Sequence, residues 1–409
     1  MYYHRHIEDV VKRISKRKPV VVLTGTRQVG KSTMLENVFS NINYIAMDHP
    51  LIREQAVRNP SIFFDMNKPP LIVDEIQKAP ELFEYIKVIV DREKKKGEFY
   101  LTGSQSIKLM ESVSESLAGR AGIVRMMGLS MREISGNPAR DPFMPAPSFF
   151  ENIEKGLEPY EYETIITRIH KGFFPELYET PSDLADWNDF YASYFVTYME
   201  KDVRDVLRIR DETAFATFVR ATASLTGQLL NMSTLAQICG KDAKTIKEWL
   251  SILQSSGLVY LLQPYHNNLN KRMTKMPKLH FLDTGLACWL MGWNTPQQMV
   301  SGAMWGHIFE SFVFAEILKS YYNSGIVTPP LYHYRDKDKN EIDLIIADGS
   351  TLHPIEIKAT SDPVSSDAKS FKYASGISGK EVGTGAVICL AKSRLPLTEN
   401  AWILPATML

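Results

Sequence analysis

Residues 19–39, PVVVLTGTRQVGKSTMLENVF, constrain this chain more than any other stretch. Val20 to Leu23 read as a short buried strand, and Met34, Leu35, Val38 and Phe39 recur at helical spacing. Between them, Gly25, Thr26, Arg27, Gln28, Val29, Gly30, Lys31 and Ser32 fit the pattern G-x-x-x-x-G-K-S, with Thr33 following. The glycines let the backbone curl until its N–H groups face phosphate oxygens, and the start of the helix adds the positive end of a dipole. Lys31 then reaches the terminal phosphates and Ser32 holds Mg²⁺. Strand, loop and helix occur in the order that such a site requires, so ATP and Mg²⁺ are the expected cofactors.

A second stretch agrees. PPLIVDEIQKAP, residues 69–80, is a short apolar strand ending in two acids. Asp74 at the strand end would bind the Mg²⁺ water shell, and Glu75 beside it would orient and deprotonate the attacking water. Further strands are expected at 43–48 and 122–126, and 98–106 reads as a strand followed by a polar turn. Thr102 or Ser104 within 98–106 would sit beside the first two strand ends, close to the γ-phosphate, as a sensor; the alternative is a simple turn residue. Arg120, just before the last of these strands, is a candidate finger reaching a neighbouring subunit's nucleotide; the alternative is a surface ion pair. Arg27 and Arg125 are rivals for that role.

These parts resemble the AAA+-like P-loop ATPases of bacteria and archaea. In particular they are similar to a family that opens with an aromatic-and-arginine arm, here Tyr3-His4-Arg5, followed by G-x-R-Q-x-G-K-[ST]-T, here Gly25 to Thr33. The family's LTGS and LAGR segments match at 101–104 and 117–120. Thr26 stands where the family often has proline. The resemblance continues through GFFPELYE and YMEKDVRDV to LDTGL at 282–286, the signature of a C-terminal module described only as a domain of unknown function. It implies an ATP-hydrolysing, oligomeric machine with a parallel-sheet α/β core.

At 409 residues the chain is too long for one ordinary domain. We expect an ATPase core over 1–135, a helical lid or linker over 136–225, a winged helix-turn-helix over 226–300 and a restriction-endonuclease-like α/β domain over 301–409. Lys+Arg and Asp+Glu balance at 47 each, so any DNA contact needs a local basic patch. Three scattered cysteines suit a reducing cytoplasm, and no apolar run approaches the roughly 20 residues of a membrane span. Tyr191, Phe195 and Tyr198 share a helical face and read as core packing.

Two helices, a strand and a returning strand are expected within 233–282. Lys241, Lys244 and Lys247 recur at helical spacing, and Lys271, Arg272, Lys275 and Lys278 would stand on the wing. Such clustered charge would neutralise DNA phosphates; the alternative is an internal packing module.

Near the end, EIDLIIADGSTLHPIEIKAT, residues 341–360, reads as a hairpin carrying acids among isoleucines. A two-residue Asp348-Gly349 turn would set Asp343 opposite Pro354, with Glu356 diagonally next to it on the same face. A four-residue turn would set Asp343 directly opposite Glu356, and a three-residue turn would separate their faces. The D-G signal favours the first. Upstream, Glu310 lies on the apolar side of a helix. Glu310, Asp343 and Glu356-x-Lys358 follow the order of the PD-(D/E)xK nuclease fold, in which the acids hold Mg²⁺ and Lys358 positions water or stabilises charge. The alternative is an amphipathic hairpin with solvated Glu and Lys. Two functions therefore compete. One is an ATP-driven machine that acts on DNA and is a candidate Mg²⁺-dependent endonuclease. The other is a nucleotide-dependent switch or scaffold whose nuclease-like domain only binds.

Overall fold

A computed structural model describes residues 2–104, 107–154, 161–179, 183–198, 211–266, 276–377 and 379–409. The chain divides into two compact units. The first comprises Met1–Leu129 with Ser255–Gly257 and Tyr321–Val327; the second comprises Ser130–Gln254, Leu258–Ser320 and Thr328–Leu409.

The first unit is an α/β layer structure. Helix α1 (Glu8–Ser15) precedes β1 (Val20–Gly25), α2 (Lys31–Val38), β2 (Asn43–Ala46), α3 (Pro50–Arg58) and α4 (Pro60–Met66). Then come β3 (Leu71–Asp74), α5 (Leu82–Glu93), β4 (Phe99–Ser104), α6 (Ile107–Ser116) and β5 (Ala121–Met126). The five strands form an all-parallel sheet in the order β2-β3-β4-β1-β5. Every residue of β1 and β3 is buried, as strands covered on both faces must be. Helix α5 turns Leu82, Phe83, Ile86 and Val90 into a core that includes Val22, Val73, Phe99 and Leu101. Because β4 lies between β1 and β3, the C-terminal ends of all three strands converge. That convergence is where ligands of open α/β sheets collect.

The second unit opens with α7 (Met131–Ser135), α8 (Pro147–Glu154), α9 (Tyr162–Lys171), α10 (Glu176–Glu179), α11 (Leu184–Tyr198) and α12 (Glu212–Ala223). As expected, Tyr191 and Phe195 of α11 are buried, and Tyr194 lies against Phe174. Strand β6 (Gln228–Leu229) follows, then α13 (Met232–Cys239), α14 (Ala243–Ser255), β7 (Val259–Leu262) and β8 (Lys278–Phe281). These strands form an antiparallel sheet in the order β6-β8-β7. Asn231 caps α13 through the N–H groups of Ser233 and Thr234, and Gly240, at φ +60°, makes the left-handed turn between the two helices.

Helix α15 (Thr284–Leu290) is capped by Asp283, whose carboxylate accepts from Leu286 N–H, Phe173 N–H and the Tyr191 hydroxyl at 2.7–2.8 Å. The Asp-Thr-Gly-Leu signature is thus a buried knot that ties α15 to the segment after α9. After α16 (Pro296–Ser301) and α17 (Trp305–Asn323) comes a seven-stranded sheet. Its strands are β9 (Leu331–Arg335), β10 (Glu341–Asp348), β11 (Thr351–Ile357), β12 (Glu381–Val382), β13 (Gly385–Cys389), β14 (Leu395–Thr398) and β15 (Ala401–Pro405). The order is β14-β15-β13-β11-β10-β9, with β12 also pairing β11.

The hairpin register differs from the one that the D-G signal favours. Asp348 pairs with Thr351, so Gly349 and Ser350 form the loop. Gly349 alone takes the left-handed conformation, at φ +56°, the pattern of a turn with glycine first. Leu344 faces Ile355, and the same register sets Asp343 opposite Glu356. Asp348 stays paired at the exposed end of the strand, beyond the buried run Leu344, Ile345 and Ile346. A register shift against β9 between Ile342 and Ile345 re-aims Asp343.

Candidate functional site

In the first unit, Gly25 ends β1 so close to β5 that a side chain there would strike the Met126 carbonyl. Gly30 caps α2 at φ +86°, a conformation that an L side chain resists. Lys31 is buried and folded back on the loop, its ammonium donating to the carbonyls of Gly25 at 3.1 Å and Thr26 at 2.8 Å. At the other side of the loop, Ser32 Oγ donates to Asp74 Oδ2 at 2.9 Å. The hydroxyl and carboxylate expected to share Mg²⁺ are therefore already in contact, and among the described residues no cationic side chain pairs with either. This donor set, one hydroxyl and one carboxylate, fits an octahedral ion that keeps several waters.

Asp74 has two further hydrogen-bond donors. Tyr44 on β2 donates to Oδ2 at 2.5 Å, and Thr102 on β4 donates to Oδ1. Burial, then the adjacent Asp74 carboxylate, pushes the Tyr44 phenol well above its ordinary range, so it stays a donor. Glu75 follows in the left-handed conformation at φ +52°, its N–H donating to Thr102 Oγ1 at 3.4 Å and its carboxylate accepting from the Gln77 amide. The backbone of Ser104 is in register with Gly25, while its side chain lies outside the described residues. Arg5 clamps the loop from the N-terminal arm. Its guanidinium donates to the carbonyls of Val29 and Met127 at 2.8 Å and of Gly128 at 3.1 Å.

In the second unit, Glu310, Asp343, Glu356 and Lys358 do meet, but around a cation that belongs to the chain. Lys278 on β8 is buried, with its ammonium 2.6 Å from Glu310 Oε1 and 3.4 Å from Asp343 Oδ1. Lys358 lies 2.6 Å from Glu356 and 3.7 Å from Asp343. Ser370 donates to Glu356 Oε1 at 2.6 Å and Ile357 N–H to Asp343 Oδ2 at 3.0 Å. Burial opposes the Lys278 charge, but Glu310 and Asp343 outweigh it and hold the ammonium protonated. Burial pushes Glu310 up to about 8 despite Lys278, and burial with repulsion from Asp343 pushes Glu356 up to about 7. Asp343 is held below its ordinary value, because Lys278 and Lys358 overcome its burial. Glu310, Asp343 and Glu356, the acids expected to hold Mg²⁺, are thus paired with two lysines, and among the described residues no group of three or more acids, histidines or cysteines is disposed to hold a metal.

Residues 17–135 match the family described as AAA domain. The matched residues include the five-stranded sheet, the glycine loop and Asp74. Residues 162–297 and 305–409 match two domains of unknown function, DUF8612 and DUF4143. Uncharacterized proteins of Mycobacterium bovis and Mycobacterium tuberculosis are each 28% identical over 402 residues, covering 97% of this chain and 82% of theirs. A Walker-type ATPase of Pyrococcus abyssi is similar over 71% of this chain and 96% of its own, at 16% identity and a TM-score of 0.46, too low to fix the fold of the whole chain.

Outside the AAA domain's loop, the other expected site residues are dispersed. Arg120 forms a forked ion pair with Asp91 at 2.6 and 2.7 Å, within its own unit. Arg125 lies over the Tyr322 ring, also within that unit. Lys244 and Lys247 are exposed on α14, while Lys241 pairs with Asp211 at 2.6 Å. Lys271, Arg272 and Lys275 lie outside the described residues. Lys278, expected on a DNA-facing wing, is corrected to a buried position. Among the described residues, Tyr44 and Arg5 were not expected at the AAA domain's centre. Tyr44 opens no motif, and only pairing of β2 with β3 brings it to Asp74.

No described helix is long and apolar enough to cross a membrane.

Proposed function

We propose that the AAA domain binds ATP with Mg²⁺ and hydrolyses it. The Ser32–Asp74 contact at the mouth of the glycine loop carries this reading. Lys31 exchanges the Gly25 and Thr26 carbonyls for phosphate oxygens, which neutralises charge as the terminal phosphoryl departs. Ser32 and Asp74 would hold Mg²⁺, which neutralises charge on the β- and γ-oxygens when bound. Tyr44 and Thr102 fix the Asp74 carboxylate. Glu75 exchanges the Gln77 amide for a water and orients it at phosphorus. Arg5 keeps Val29 in place, so that the loop N–H groups stay convergent. Phosphate release from ATP by the full chain tests this, with Lys31→Ala as the blank. Wild-type turnover no faster than that variant overturns it.

For what the cycle drives, the second reading is better supported: a nucleotide-dependent switch or scaffold whose C-terminal, nuclease-like module binds without cutting. The cation already placed between Glu310 and Asp343 favours it. The order of α13, α14, β7 and β8 supports a winged helix, with exposed Lys244 and Lys247 as its contacts to DNA phosphates. We place assembly in a homo-oligomer, formed on ATP binding in the cytoplasm, as in the family that the motifs resemble. Duplex DNA that binds the wild type but not a Lys244→Glu, Lys247→Glu variant supports the winged-helix reading. Equal binding by the two chains refutes it, and Mg²⁺-dependent nicking that Asp343→Ala abolishes refutes the non-cutting module.

A further inference from the structure

Two residues apart on β8, Lys278 and His280 turn to the same face and meet α17, Lys278 at Glu310 and His280 at Ser311 and the Phe314 ring. One strand of the small antiparallel sheet thereby inserts a charged side chain into the acidic cluster of the large sheet. The four residues of β8 are all buried, so this lysine is not a surface cation that has folded inward.

The donors of the cluster account for five of its six carboxylate oxygens. Glu310 Oε1 and Asp343 Oδ1 take Lys278; Asp343 Oδ2 takes Ile357 N–H; Glu356 Oε2 takes Lys358 and Oε1 takes Ser370. A Mg²⁺ ion asks for oxygen ligands at about 2.0–2.1 Å in near-octahedral array. Any ion bridging Glu310 and Asp343 would have to enter the volume that the Lys278 ammonium fills, against its like charge. The two lysines already offset the ionised acids, so a divalent ion would leave the buried cluster with excess positive charge.

We infer that Lys278 is the resident cation of this cluster, a side-chain substitute for a divalent metal, and that the C-terminal module holds a latent metal site closed by its own chain. The inference is independent of ATP hydrolysis and concerns only the second unit. It assigns Lys278 a role in place of the metal, and it assigns Lys358 to holding Glu356 instead of serving a bound water. The reach of β8 also makes the cluster a tie between the helix-turn-helix elements and the large sheet.

Mn²⁺ binding followed by electron paramagnetic resonance tests it, on the full nucleotide-free chain carrying Asp74→Asn so that the glycine-loop site does not contribute. In that parent, adding Asp343→Asn is expected to leave the bound Mn²⁺ unchanged. Lys278→Met is expected to gain a Mn²⁺ site at least about tenfold tighter than anything in the parent, and Asp343→Asn added to it should remove the gain. A parent Mn²⁺ site that disappears with Asp343→Asn overturns the inference, because Lys278 would then be yielding to metal. A folded Lys278→Met chain that gains no Mn²⁺ overturns it equally. Should Lys278→Met not fold, Lys278→Gln takes its place under the same criteria, and the parent comparison needs no Lys278 variant at all.

Discussion

Two groups of carboxylates in this molecule share residue types and differ in what faces them. Asp74 is met by three hydroxyls, from Ser32, Tyr44 and Thr102. Hydroxyl oxygens donate to a carboxylate and can also stand beside, or ligate, a hard cation. Glu310, Asp343 and Glu356 are met by two ammonium groups, which compete with such a cation for the same oxygens. Acid residues at the end of a strand therefore do not define a metal site. The charge of their neighbours decides whether a metal is wanted.

The comparison breaks most visibly if Lys278 is removed. Lys278→Met leaves Glu310 and Asp343 buried beside each other with no ammonium, and breaking a buried pair from one side costs about 3–5 kcal/mol. We expect a loss of that size in the unfolding free energy of the second unit, read by chemical denaturation with probes in each unit. A loss confined to the first unit would contradict the tie through β8. Next in size is Lys31→Ala, expected to slow ATP turnover by about 10²–10³-fold, the usual worth of a preorganised charge at the reacting phosphate. Phosphate release at saturating MgATP measures it. Tyr44→Phe removes one hydrogen bond to a charged group, a change of about 1.5–3 kcal/mol, so the Mg²⁺ concentration for half-maximal turnover should shift about tenfold or more. An unshifted Mg²⁺ profile would show that Ser32 and Thr102 alone orient Asp74.

The second centre also has a pH signature. Folding raises Glu310 to about 8 and Glu356 to about 7, above the ordinary carboxyl value, so the folded second unit holds protons that the unfolded chain has released. Stability from these groups is fully present below about 4.5 and is lost as pH rises toward 7–8. Asp343, held low, works in the opposite direction, but only at acid pH. The melting temperature of the second unit should fall between pH 5 and 8, and Glu356→Gln should flatten that fall. A rise over the same interval would mean that both acids are ionised in the fold.

Much of the first centre was readable from the sequence because its parts are local. The loop lies between a strand and a helix that are adjacent in the chain, and Asp74-Glu75 ends a strand whose pattern is plain. Placing a third strand beside the other two offered Thr102 or Ser104 at the strand ends, but not the hydrogen bond from Thr102 to Asp74. Tyr44 was not readable, because a single tyrosine on a short, partly exposed strand carries no periodic signal; pairing of β2 with β3 brings it to Asp74. In the second centre the four predicted residues converge, yet Lys278 was assigned to the wing. The stretch KLHF has a polar residue at every other position, as a half-exposed strand would, and only packing against α17 shows that both faces are buried. The hairpin register was also misjudged: Asp-Gly was read as the central pair of the turn, whereas only Gly349 takes the left-handed conformation and Asp348 remains paired with Thr351.

The smallest expected effect sharpens the comparison inside the AAA domain itself. Arg120, like Lys278, is a cation already matched by an acid of its own chain, here the forked pair with Asp91 at 2.6 and 2.7 Å. Arg120 holds the Asp91 carboxyl below its ordinary value, so the pair is charged at neutral pH. To serve a neighbouring subunit's nucleotide, the guanidinium would have to leave both oxygens of Asp91. Arg120→Ala should therefore change ATP turnover by less than about threefold under conditions of assembly, whereas loss of a true arginine finger costs about 10³–10⁵-fold. Turnover measured across a range of protein concentrations separates the two, since a finger acts only between copies. A loss near the larger figure that Asp91→Asn does not reproduce would place Arg120 at the neighbour's phosphate, and would show that an internal ion pair at the surface, unlike the buried one at Lys278, can be given up for a better partner.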